Sequence, residues 1–178
     1  MSEGLGTINA GSLRVIIGSE VELGKRSKFL NHCTTLTDSI FNGLDLRNEI
    51  SSVAMQKLGE TILLKDDGDN TVNGIAICHF GAGTEAGSNV CYLKFGAAVK
   101  SGHQPQSENF AYLLNSCQRF AASRGLSKLV AGINVGNLAA YKKMIQMGFK
   151  TEFQGVLMTK GNEPGYHKED VYVVDDWR

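Results

Sequence analysis

Apolar positions change their spacing several times along the chain, and each change marks an element. Leu13–Ile17 is a short run with β-branched residues and predicts a first strand. Between Gly24 and Leu58 the spacing turns helical. Leu36, Ile40 and Phe41 form one cluster, Ile50, Val53, Ala54 and Leu58 another, and Gly43 and Asp45 mark a break between two helices. Thr61–Lys65 and Val72–Phe80 read as strands joined by the turn Asp66-Asp67-Gly68-Asp69-Asn70. A glycine-rich loop, Gly81 to Gly87, leads to a strand at Val90–Val99. Glu108–Arg124 carries a continuous stripe of Phe110, Leu113, Leu114, Cys117, Phe120 and Ala121 and predicts a helix, with Ser107 as its N-cap and Gly125 as its stop. A strand at Lys128–Ile133, a helix at Asn137–Met147 and a strand opened by Phe149 after Gly148 follow. The alternation from Asp170 to Val174 predicts the last strand. The order predicts one α+β domain over residues 1–178, with a mixed, mostly antiparallel sheet and flanking helices.

Composition narrows the function classes. The 178 residues suit one domain with a substantial core, and 18 basic against 18 acidic side chains give no overall basic surface for nucleic acid or anionic lipid. No apolar run approaches a membrane span, and Met1-Ser2-Glu3-Gly4 lacks the basic start and apolar block of a signal peptide. Cys33, Cys78, Cys91 and Cys117 are scattered without metal or redox spacing and read as buried free thiols. A cytoplasmic protein with no metal centre is therefore expected.

The strand, helix, strand order from Val90 to Ile133 has a chemical consequence. A right-handed crossover between parallel strands puts a helix N-terminus at the end of a strand, where backbone N–H groups and the helix dipole favour an anion such as pyrophosphate. The turn there reads Ser101-Gly102-His103-Gln104-Pro105-Gln106-Ser107. Further on, Ile133, Asn137, Ala140, Gly148 and Phe149 fall at a fixed spacing. That spacing, with this order of elements, resembles the GCN5-related N-acetyltransferases.

The resemblance implies a splayed parallel pair formed by Val90–Val99 and Lys128–Ile133, with acetyl-CoA as co-substrate and an amine of a small molecule or peptide as acceptor. It implies pantetheine and carbonyl contacts from the backbone of Ala97, Ala98 and Val99. Pyrophosphate contacts would come from His103, Gln104, Gln106, Ser107, Glu108 and Asn109, and a cleft-wall contact from Asn137. In the family a tyrosine four residues before Gly-Phe serves as general acid. That slot is Met144 here, and Tyr141, one turn earlier, is the substitute candidate. Tyr166 and His167 become possible acceptor contacts, and Trp177 a sheet cap or a homodimer contact.

Chemistry read from the residues adds two candidate bases, His79 and Glu85, on the strand and loop before Val90. Cys78 and His79 point to opposite faces of a strand and form no dyad. The chain also departs from the family. The family's phosphate-turn glycines fall on Glu108 and Phe110, and Glu108 would repel a phosphate at the helix start unless the loop reoriented, with a protonated His103 compensating in part. Two readings follow, an N-acetyltransferase and a degenerate ligand-binding or interaction module of the same fold. A structural protein of unrelated fold would require the Asn-Ala-Gly-Phe spacing to be coincidence.

Overall fold

The structure, a computed structural model, describes residues 13–102, 104–156 and 168–175. Its elements run β1 (Leu13–Ile17), α1 (Arg26–Ile40), α2 (Arg47–Gln56), β2 (Gly59–Asp66), β3 (Val72–Phe80), β4 (Val90–Val99), α3 (Gln106–Ser123), β5 (Lys128–Ala131), α4 (Leu138–Gln146) and β6 (Val171–Asp175). The sheet order is β1-β2-β3-β4-β5, with β6 also on β4. Every pairing is antiparallel except β4 with β5. This is the expected α+β class.

Strand alternation sorts the core into two layers. Leu63, Ile75, Ile77, Phe95 and Ala97 face α1 and α2, while Ile62, Leu64, Ala76, Leu93 and Ala98 face α3 and α4. The α3 stripe is buried as its spacing requires, with Phe110, Leu113, Leu114 and Cys117 fully enclosed. All four cysteines are buried free thiols. Burial pushes the Cys33 thiol up to about 12. A hydrogen bond with Cys117 is the main cause of a raised Cys78 pKa.

Gly59 opens β2 against β3 because no side chain fits there. A Cβ at this position would lie 1.9 Å from the Cys78 carbonyl oxygen. Backbone cannot swing aside as a side chain can. Gly59→Ala is therefore expected to cost about 1–3 kcal/mol, read as a lower urea midpoint at unchanged slope.

Three expectations need correction. The helix α3 starts at Gln106, with Pro105 as its N-cap at φ −69 and ψ 150, so Ser107 lies inside the first turn and is not the cap. Proline suits that place because the amides of a first helical turn have no intrahelical acceptor. Strand β5 ends at Ala131, not Ile133. No strand begins at Phe149. Residues 149–156 are held by side chains, through Tyr141 to Thr151 at 3.2 Å and Lys128 to Glu152 at 2.7 Å. Gly148 does take a left-handed φ of 89, and Phe149 packs against the α3–α4 core. His103, the 161–165 turn, Tyr166, His167 and Trp177 lie outside the described residues.

Candidate functional site

Midway along β4 the register slips. Ile77 opposes Phe95 and Cys78 opposes Leu93, so Lys94 is one extra residue on β4, a β-bulge. The slip falls where the partner on the other edge changes. Strand β5 runs beside β4 from Val90 to Leu93, and β6 runs beside it from Phe95 to Val99.

A chain of charged side chains gathers at this bulge. His79 is the penultimate residue of β3, Glu85 comes from the following loop, Lys94 is the bulge residue and Glu49 sits in the first turn of α2. His79 Nδ1 lies 3.1 Å from Glu85 Oε2, and Glu85 Oε1 lies 3.3 Å from Lys94 Nζ. His79 Nε2 is 3.2 Å from Glu49 Oε1 but is not aligned for a hydrogen bond. The His79 side chain is 9% exposed, against 42% for Glu49 and 33% for Glu85. The imidazole is thus enclosed while both carboxylates reach solvent. With His79 neutral, two carboxylates and one ammonium sum to −1, so a proton taken by the ring neutralises the cluster.

Burial opposes the ionisation of Glu85. Its backbone N–H, His79 and Lys94 outweigh that, and its pKa falls below the ordinary 4.5. A depressed carboxylate contributes stability above its unfolded pKa and loses it as pH falls through the folded value. Docking of the 81–89 loop should therefore weaken below pH 4.5. Glu85→Gln should flatten that dependence, seen in amide exchange of the loop from about pH 5 to about pH 3.

The C-terminal end of β4 is built differently. Lys100 N–H donates to the Asp170 carbonyl at 3.2 Å. Antiparallel alternation then turns the main-chain polar groups of Gly96 and Ala98 toward β6. Ala98, expected to offer its amide to a thioester carbonyl, instead directs it into the β4–β6 ladder. Ala97 and Val99 face β3, and the Val99 carbonyl accepts from Asn109 Nδ2 at 2.8 Å. Ser101 and Gln104 close a tight turn on each other, with N–H to carbonyl distances of 3.1 and 2.7 Å, over Gly102 at φ 48.

Three expected cofactor residues hold the chain's own backbone, the fully buried Asn109 through Val99 and two others. Gln106 Nε2 donates to the Glu169 carbonyl at 2.8 Å, and Asn137 Nδ2 to the Val171 carbonyl at 3.3 Å. Asn137 also caps α4, its Oδ1 accepting from Ala140 N–H at 3.2 Å. At the start of α3, the amides of Glu108 and Asn109 both bond the Pro105 carbonyl, at 3.1 and 3.3 Å. That leaves the Gln106 and Ser107 amides as helix-end donors, with the exposed Glu108 carboxylate beside them. Two adjoining clefts of about 530 and 510 Å³ share Ser39, Val99, Lys100 and Gly102 at this end.

The structure therefore joins His79 to Glu85 and separates them from the rest. His79 pairs with Tyr92, seven residues before Val99, a span of roughly 23 Å along β4. Tyr141 belongs to α4 on the opposite face from α2, with its hydroxyl on Thr151. Met144 is a core residue. Sequence reasoning missed Glu49 and Lys94. Only the helix break at Gly43 hinted that the first turn of α2 would meet the end of β3. Among the described residues no group of His, Cys, Asp or Glu is placed to hold a metal ion, and no helix is long and apolar enough to cross a membrane.

No protein-family model matches the sequence, and no curated protein matches it significantly. Solved structures do match. The aminoglycoside N-acetyltransferase AAC(6')-Iy, solved with CoA, superposes with a TM-score of 0.60 at 15% identity, covering 84% of this chain and 95% of that one. The aminoglycoside acetyltransferase meta-AAC0020 from an uncultured soil metagenomic sample, solved with sisomicin, gives 0.62 at 12% identity, covering 87% and 99%. An acetyltransferase of Trypanosoma brucei gives 0.53 at 16% identity, covering 83% and 99%. The fold is that of the GCN5-related N-acetyltransferases. In this chain the end of the β4–β5 parallel pair and the β4 bulge coincide. The His79 cluster therefore sits where the sheet changes partner.

Proposed function

We propose that the chain is an acetyl-CoA-dependent N-acetyltransferase acting on an amine of a small molecule or peptide. The observation that carries this reading is the His79–Glu85–Lys94–Glu49 chain at the β4 bulge of an acetyltransferase fold. The acceptor would arrive as an ammonium, drawn by the solvent-facing carboxylates of Glu49 and Glu85. His79 takes the proton that the nitrogen loses. The nitrogen bonds to the thioester carbon, the carbon–sulfur bond breaks, and CoA leaves as a thiolate that takes up a proton. The two matched aminoglycoside acetyltransferases, one solved with sisomicin, support a small-molecule amine. Four buried free thiols fit a reducing cytoplasm, and a homodimer is part of the same proposal.

The second reading is a module that kept the fold without the activity. It is favoured by the Glu108 carboxylate at the start of α3 and by β6 on the edge of β4. Calorimetric titration with acetyl-CoA and desulfo-CoA, followed by thiol-release assays across an amine panel, separates the two. Micromolar binding with amine-dependent release supports the enzyme. No binding up to millimolar ligand by a folded sample rejects it.

A further inference from the structure

The edge of β4 beyond the bulge, residues 95–99, is filled by five residues of the chain itself. Strand β6 has β4 as its only strand partner among the described residues. Its hold on the site comes from backbone carbonyls. Gln106 clamps that of Glu169, Asn137 that of Val171, and Lys100 N–H that of Asp170. Just before them, Lys168 Nζ reaches across the cleft to the Ser39 carbonyl at 2.9 Å. These are the contacts an extended, amide-bearing ligand would make. The arm of an acyl-CoA is such a ligand, an extended chain carrying two amides.

We infer that β6 is an internal occupant of the acyl-CoA groove, and that its release from β4 admits the cofactor. This rests on the acetyltransferase reading. Binding of the arm and pairing of β6 compete for the same Gly96 and Ala98 main-chain groups, while Gln106 holds only the closed form. Five residues long and paired with β4 alone among the described residues, β6 can leave the sheet without unzipping another described strand pair. Its four buried side chains, Val171 to Val174, make the closed form the resting one. CoA affinity is then lowered by the fraction of molecules that remain closed.

Two variants test this with CoA as the probe. The first is Gln106→Ala. If Gln106 latches β6, its loss frees the strand, and CoA should bind tighter by about three- to tenfold, the worth of one hydrogen bond. Weaker binding would make Gln106 a direct cofactor contact and overturn the proposal. The second is the double variant Ala97→Cys, Val173→Cys. These residues oppose each other at a non-hydrogen-bonded position, where Cα atoms are about 4.5 Å apart, within disulfide reach. Oxidation should lower CoA affinity more than tenfold, and reduction should restore it in the same sample. Equal binding in both redox states would overturn the gate while leaving the acetyltransferase reading intact. Absence of CoA binding by the wild type, Gln106→Ala and the reduced pair, all folded by thermal melting, would reject both.

Discussion

Replacing His79 by alanine should lower kcat/KM for amine acetylation by about 10²- to 10⁴-fold, the contribution typical of a positioned acid–base group. Its contacts, Glu85 at 3.1 Å and Glu49 at 3.2 Å, are both side chains, and neither lies on α3 or β6. Acetyl-CoA binding by calorimetry should therefore stay within about twofold of wild type, since a group that acts only on the proton contributes little to ground-state binding. The two readouts together distinguish a base from a structural residue. Loss of rate with intact binding and an unchanged melting temperature supports the base. Full activity in the folded variant would move the proton acceptor elsewhere and leave the cluster as a loop anchor.

The largest stability change should come from Phe110→Ala. Phe110 is fully buried, and its ring meets Tyr172 of β6 edge-on, with centroids 5.4 Å apart and planes at 79°. Truncation removes the anchor between the first half of α3 and β6 and leaves a cavity that neither can fill without moving. A cost of about 3–5 kcal/mol is expected, comparable to the whole stability of many domains. Urea unfolding measures it. A loss below about 1 kcal/mol would mean that the α3–β6 contact is far looser than the burial shows.

Most of the architecture was legible because it depends on local spacing. The α3 stripe, the 66–70 turn and the alternation of β2 and β3 each state their own element. Asn137 and Gly148 act as helix start and stop where the spacing placed them. What was not legible is choice of partner. The pattern in Val171–Asp175 specifies a strand but says nothing of which edge it joins. That depends on β5 leaving β4 at Leu93. The roles of Gln106 and Asn137 follow from that choice, so their side chains were read as facing a ligand when they face the chain. Glu49 was hidden for a related reason. Thirty residues separate it from His79, and only the packing of α2 on the sheet brings their side chains together. The start of α3 was placed two residues late, because Pro105 rather than Ser107 caps the helix.

Cys78, Cys91 and Cys117 have no solvent exposure, and β3, β4 and α3 supply one each. A thiol reagent therefore reaches them only when α3 lifts from the sheet. Their labelling rate is a clock for that opening, set by the global unfolding equilibrium when reclosing is fast. While the fold is closed they stay silent. CoA thiol released in a turnover assay would then be read without background from the protein, and a rising background would report the molecule coming apart.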